Sequence, residues 1–520
     1  MRSFLQRFAT RVIGVLNGFD RLRFRGTLRS LAYAKGLAKF LGRSKVLLKD
    51  YKPYVESVTS QVKQDVTHMA ESAQRPVVYL PSASLSKEEK AQEIARADGV
   101  EQGLVCVLSA LECCHSFEIR GNGSTKRLEL VPAYRKCLHY YAYWIDPQCG
   151  WMHTRLQTWF PFSMWTCLNG REWLCRQLEQ AGVGYTRRDN CLTQVADLDR
   201  ARQLIQQQLQ TDWPQLLASF ADRIFPRRFS LLARERQDYY WTLDESEWAT
   251  DVMFHSSRQL AAIYPQLVQH ALSVFTSRDI LRFLGRAIPP DGDGGRFAGE
   301  ASGDLRFRPE GMRVKHRINR NSLKMYDKQG SVLRIETTIN DPADFRVYRT
   351  KEGDEAGKPE WRPMRKGVSD IHRRAKVSQQ ANERYLEGLA AAKATEPLSQ
   401  LVDPLCQPTT YHGRRARGLN PFSGADARLL QAVSQGEFLL QGFRNRDLQA
   451  VLYPQPTEDP LEARRRSAAV TRQLRLLRAH GLIRKLPKQH RYRPTPAGQL
   501  AITALLAARK ADTQTLTAAA

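Results

Sequence analysis

Nowhere in the 520 residues does an apolar run approach the roughly 18–20 residues that span a bilayer, so no transmembrane helix is expected. The nine cysteines contain no Cys-x-x-Cys pair, which excludes a zinc ribbon and a thioredoxin-type redox motif. No Gly-x-x-x-x-Gly-Lys-[Ser/Thr] stretch is present, and no Gly-x-Ser-x-Gly or His-Glu-x-x-His, so neither a P-loop nor a compact hydrolase signature is encoded. Acid is scarce too: 53 Asp+Glu stand against 80 Lys+Arg, a formal net charge of +27. Such an excess favours a polyanionic partner, nucleic acid first and an anionic membrane surface second.

The excess is concentrated at the two ends. Residues 1–50 hold 12 Lys/Arg and two acids, and residues 411–520 hold 19 against 7. The 360 residues between them are nearly balanced, at 49 against 44. This pattern suggests a central working region flanked by two anion-binding modules. The Arg-rich start, MRSFLQRFATRVIGVLNGFDRLRFRG, is read as part of the fold, with Arg23 and Arg25 as candidate nucleic-acid contacts.

At roughly 100–200 residues per domain, the length implies about three or four units. The expected class is a multidomain α+β chain. A basic helical N-terminal segment covers residues 1–75, and a mostly antiparallel α+β domain follows over 76–225. A helical and β-hairpin domain, the candidate catalytic one, occupies 226–394. Residues 395–424 read as a Pro/Gly/Arg-rich linker, and 425–510 as the C-terminal domain. Eight cysteines lie between Cys106 and Cys191. With His115, His139 and His153 they offer soft ligands for zinc, but inside apolar strand-like runs they read as buried thiols in a reducing, cytoplasmic setting.

The C-terminal pattern is helix, helix, helix, basic hairpin, helix. The stretch LRLLRAHGLIRKLPKQHRYRPTPAG resembles the winged helix-turn-helix family, in particular its MarR and ArsR-like members. That resemblance implies a recognition helix in a duplex DNA groove and a wing on the backbone. Val470, Leu474 and Leu477, at i, i+4 and i+7, would face the core. Arg464, Arg465, Arg466, Ser467, Thr471, Arg472 and Arg475 would then face nucleic acid, with Arg484, Lys485, Lys488, Arg491 and Arg493 on the wing.

For catalysis the best candidate is VKHRINRNSLKMYDKQGSVLRIETTIN. Two strands bring Tyr326, Asp327 and Lys328 near Arg334 and Glu336, and carboxylates on neighbouring strands can share Mg²⁺ or Mn²⁺ with phosphate oxygens. Glu247 and Asp251, at i and i+4 on an expected helix, would join them as metal ligands. Tyr326 or Tyr385 would serve as nucleophile in a covalent mechanism. The Tyr-Asp-Lys and Arg-x-Glu pair resembles the nicking domain of rolling-circle replication initiators, which implies metal-dependent strand nicking or transfer in a replication or mobile-element context. The His-hydrophobic-His metal motif of many such enzymes is missing. The chain as a whole resembles a group of bacterial proteins, a likeness that carries no activity.

Two other readings stand beside this one. The chain is either a non-enzymatic DNA-binding regulator or an RNA-binding protein. The latter would use the N-terminal basic helices together with the polar strand face of His153, Arg155 and Gln157, with Trp159 beyond it.

Overall fold

The computed structural model describes residues 1–82, 84–232, 238–285, 301–309, 311–351, 357–390, 398–422, 424–435, 438, 442–486 and 489–510. The Gly-rich segment at 290–300 and the wing residue Lys488 lie outside them. In chain order the principal strands are β1 (Val12–Thr27), β2 (Val77–Leu80), β3 (Gly103–Asn122), β4 (Arg127–Asp146), β5 (Gly150–Gln157) and β6 (Met164–Asn169). They continue with β7 (Tyr185–Arg188), β8 (Cys191–Val195), β9 (Tyr240–Phe254), β10 (Ser302–Arg308), β11 (Gly311–Ile318), β12 (Asn321–Lys328) and β13 (Val332–Ile339). The chain forms two compact units, each assembled from separated segments. One comprises residues 1–15, 250–337 and 377–520, the other 16–249 and 338–376.

The unit built around 16–249 carries the strand order β9-β1-β6-β5-β4-β3-β2, antiparallel except for the β2–β3 pair. β1 corrects an expectation. Within residues 1–75, expected to be helical, Arg2–Arg7, Ala34–Arg43 and Tyr51–Ser72 are helices, but Val12–Thr27 is a 16-residue strand, because RLRFRG alternates Arg with Leu, Phe and Gly at period two. Leu22, Phe24 and Gly26 point inward, and Phe24 stacks on Trp213 at 5.0 Å. Burying a side chain of that size contributes about 1.5–3 kcal/mol. Gly170 opens the helix Gly170–Gln180 against β1, where a Cβ would lie 2.0 Å from the Phe19 carbonyl oxygen. On the opposite sheet face the helix Lys87–Ala97 packs Ala91 against Cys106, Leu108, Tyr141 and Tyr143. Its N-cap is Ser86, whose Oγ accepts from the Glu89 amide at 3.2 Å.

β9 corrects a second expectation, since Glu247 and Asp251 are expected on a helix. Helices are present over Leu198–Leu209 and Trp213–Ile224, but Tyr240–Phe254 is a strand.

In the other unit the order is β10-β11-β12-β13, followed by residues 250–254 of β9. The two strands expected to be adjacent here, β12 and β13, are neighbours in the sheet, and β11 pairs antiparallel with β12. One sheet face carries Val314, His316, Leu323 and Met325. His316 Nε2 lies 3.0 Å from the Tyr385 hydroxyl, and Phe275 and Phe283 pack edge-on against the Tyr385 ring.

The C-terminal portion has its own apolar cluster around Leu429, Leu430, Val433, Phe443, Leu448, Val470, Leu474, Leu477 and Leu505. The expected linker is folded into it. Residues Leu398–Cys406 are helical, Thr409–Tyr411 pairs with Arg414–Ala416, and Val402, Leu405 and Leu419 join the cluster. Helices then run over Gly424–Val433, Asn445–Leu452, Pro460–Ala479 and Pro496–Lys510. The hairpin Ile483–Lys485/Tyr492–Pro494 precedes the last helix, and Phe443 exchanges backbone hydrogen bonds of 2.8 and 2.7 Å with Tyr492. No helix among the described residues is long and apolar enough to cross a membrane.

Candidate nucleic-acid interface

Asp327 and Glu336, expected to share a divalent ion, do not face one another. Glu336 receives the Lys324 ammonium at 2.5 Å, with both side chains buried. The pleat then fixes the rest: Lys324 and Glu336 share a face, so Asp327, three residues on from Lys324, points to the other. There it lies beside Tyr264, whose hydroxyl donates to the Met312 carbonyl at 2.7 Å. Burial raises the Asp327 carboxyl, and its Oδ1 has no hydrogen-bond partner among the described residues. Asp251 takes a two-pronged bond from Arg334, at 2.6 and 2.9 Å, deep in the core. Glu247 accepts from the Thr338 hydroxyl and from Arg21, each at 3.3 Å.

Glu247 and Asp251 do share a face, as expected, but through strand alternation rather than a helical turn. Asp251 and Glu336 are thus neutralised by buried cations, and Asp327 and Glu336 face apart. Asp327 and Glu336 are therefore not placed to share one Mg²⁺ or Mn²⁺ ion. Lys328 is buried and Tyr326 half-buried. Tyr385 is wholly buried, and burial pushes its phenol well up, so it is not placed as a nucleophile.

A different arrangement emerges on the sheet of the other unit. Strand alternation puts Arg21, Arg23 and Arg25 of β1 on one face, with Trp165, Cys167 and Asn169 of β6 and His153 and Arg155 of β5. Register aligns them in two cross-strand rows. One runs Arg23, Cys167, His153, Tyr143; the other runs Arg25, Trp165, Arg155, Tyr141. In the second row cations and rings alternate. The Arg25 guanidinium lies 5.5 Å from the Trp165 ring, and that of Arg155 lies 4.6 Å from Trp165 and 5.5 Å from Tyr141.

Glu112 closes the far end of that row. It pairs with Arg155 at 2.8 Å and Lys87 at 2.9 Å, and both its oxygens accept from the Tyr141 hydroxyl. The near end is open: Arg23 is exposed, and Arg25, Trp165, Cys167, His153 and Arg155 are half-buried. Burial and the Arg155 charge lower the His153 imidazole to about 4, so at neutral pH it is uncharged, one ring nitrogen a donor and the other an acceptor. The Nε–H groups of Arg25 and Arg155 are buried without hydrogen-bond partners among the described residues.

His153 and Arg155 were legible as one face of a strand. Trp165 and Cys167 were missed, although MWTCLN carries the same period-two signal. The expected continuation through Gln157 and Trp159 does not hold. Gln157 Nε2 is spent on the carbonyls of Trp159 and Phe160, at 3.0 and 3.1 Å, and Trp159 is buried beneath Arg135.

On the C-terminal helix Pro460–Ala479, Val470, Leu474 and Leu477 are buried as expected, and Arg464, Arg465, Thr471, Arg472 and Arg475 are exposed. Arg466 is instead folded back onto Glu462 and the Gln455 carbonyl, at 3.0 and 2.7 Å, and over the Tyr453 ring. Asn445 Nδ2 donates to the Ser467 carbonyl at 3.0 Å and to Thr471 Oγ1 at 2.8 Å, tying two helices together. Ser467 and Thr471 therefore position the helix as well as lining it. In the hairpin, Arg484 opposes Arg493, whose guanidinium lies 3.9 Å from Glu387, while Arg491 donates to the Gly442 carbonyl at 3.2 Å.

No family model, no curated protein and no solved structure matches this chain.

Proposed function

We propose that this chain binds nucleic acid with a separate surface on each unit. The observation that carries the reading is the half-open row Arg25–Trp165–Arg155, with His153 and Arg23 beside it. Rings stack on bases of any sequence, while flanking guanidiniums meet the phosphates and the base faces. A neutral histidine adds one donor and one acceptor for a base edge. This surface suits unpaired bases, either RNA or single-stranded DNA.

The C-terminal region supports a second mode. Its helix order, the Phe443–Tyr492 bridge and the basic hairpin follow the layout of a winged helix, and Arg464, Arg465, Arg472 and Arg475 form an exposed stripe on the helix such a domain lays in the major groove. That surface suits duplex DNA.

The reading stops at binding. Strand nicking through a metal ion shared by Asp327 and Glu336 is not part of it, because those two side chains face apart.

The test is titration of labelled single strands and duplexes by fluorescence anisotropy at several salt concentrations. Trp165→Ala is expected to weaken single-strand binding and spare duplex binding. Arg472→Ala with Arg475→Ala is expected to do the reverse. No binding of either polymer at low salt overturns the reading.

A further inference from the structure

A separate cluster lies farther along the β3–β4 ribbon, where Cys114 pairs in register with Arg135 and Cys137 with Glu112. Cys114 and Cys137 are therefore diagonal neighbours on one face, and His139 follows two residues along β4 on the same side. The two sulfurs are 2.9 Å apart, and Cys137 Sγ is 3.9 Å from His139 Nδ1. One ligand atom from each residue falls within 4.8 Å of the others, and all three side chains are buried.

From these residues we propose a binding site for a thiophilic divalent cation, Zn²⁺ in chemical class, held by Cys114, Cys137 and His139. A second, independent observation points the same way. His139 is completely buried; its Nδ1 sits 3.2 Å from the Cys137 carbonyl, and its Nε2 has no hydrogen-bond partner among the described residues. An unmet ring nitrogen in a dry core costs free energy unless something occupies it, and a metal ion does so.

The charge balance favours a divalent ion. Two thiolates and a neutral imidazole bring two negative charges, which a divalent cation cancels inside a buried pocket. Loading expels the thiol protons to solvent. In tetrahedral zinc, Zn–S bonds of about 2.3 Å hold two sulfurs about 3.8 Å apart, so the side chains must separate by about 1 Å as the ion enters. Three protein ligands leave the fourth position to water or an external donor.

The whole chain, reduced and stripped with a chelator, is dialysed against Zn²⁺, and the bound metal is counted by mass spectrometry. One ion per chain is expected, with affinity falling more than about tenfold in Cys114→Ala, Cys137→Ala and His139→Ala and unchanged in Cys406→Ala. Co²⁺ added to the unaltered chain is expected to give an intense near-ultraviolet thiolate charge-transfer band. Absence of that band, or stoichiometric zinc retained in Cys114→Ala, overturns the proposal. The cobalt measurement needs no variant, so misfolding of a substituted chain does not blunt the test.

Discussion

The Arg155 guanidinium lies 4.6 Å from the centre of the Trp165 ring, although the two residues come from different strands. The Nε–H of Arg155 has no hydrogen-bond partner among the described residues. A stacked base beside the same ring would meet that N–H. Replacing Trp165 by Ala is expected to cost about 1–3 kcal/mol of single-strand binding, the worth of one stacked base. Replacement by Phe is expected to restore most of it. Anisotropy on RNA and DNA single strands reads the loss, and equal losses on duplex and single strand argue against base stacking.

The exposed arginines of the helix Pro460–Ala479 predict an ionic signature. Removing one arginine–phosphate pair lowers the slope of log affinity against log salt by about one. Arg472→Ala and Arg475→Ala are each expected to reduce the duplex slope by about that amount and to leave the urea midpoint unchanged. Arg466→Ala is expected to behave differently, because that side chain is bound to Glu462 and the Gln455 carbonyl. It lowers stability and changes the slope little.

The buried Arg334–Asp251 pair predicts a non-additive cycle. Removing one partner strands a charge in the core, and Arg334→Met or Asp251→Leu is expected to destabilise the chain by about 3–5 kcal/mol. The double variant is expected to recover much of that loss, since neither charge then remains buried. Urea unfolding of the four proteins measures the coupling.

Acid is expected to weaken the fold through its histidines. Burial lowers His139, His153, His270 and His316 to about 4, against 6.5 in an open chain. The unfolded chain therefore binds more protons between these values, and the stability present above pH 6.5 is progressively lost as pH falls from about 6.5 to 4. Unfolding midpoints at pH 7 and pH 5 are expected to differ, by less in His316→Gln. That variant keeps a side chain able to hydrogen-bond Tyr385, whose hydroxyl lies 3.0 Å from the imidazole.

Local periodicity was the part of the fold most legible in the sequence. Val470, Leu474 and Leu477 show only a helical period, and all three are buried on one side of a helix. Glu247 and Asp251 show where periodicity is ambiguous: a spacing of four puts two residues on one face of a helix and equally of a strand. Arg21, Arg23 and Arg25 alternate plainly, yet a run of positive charge masks the apolar residues set between them. Asp327 and Glu336 looked like neighbours on a hairpin until Lys324 fixed the pleat parity. Register was out of reach altogether. Nothing in the sequence tells that Arg25, Trp165, Arg155 and Tyr141, drawn from four strands, stand in one row.

The interleaving of the two units bears on how the chain is made. Synthesis from the N-terminus delivers residues 16–249 early, but the unit they belong to also needs 338–376, which emerge only after most of the other unit's strands. The first 15 residues wait longer still, for partners beyond 376 such as Glu387, which binds the terminal amine at 2.8 Å. No single cut yields either unit whole. A nascent chain halted near residue 300 would therefore hold two unfinished bodies rather than one finished domain and a tail.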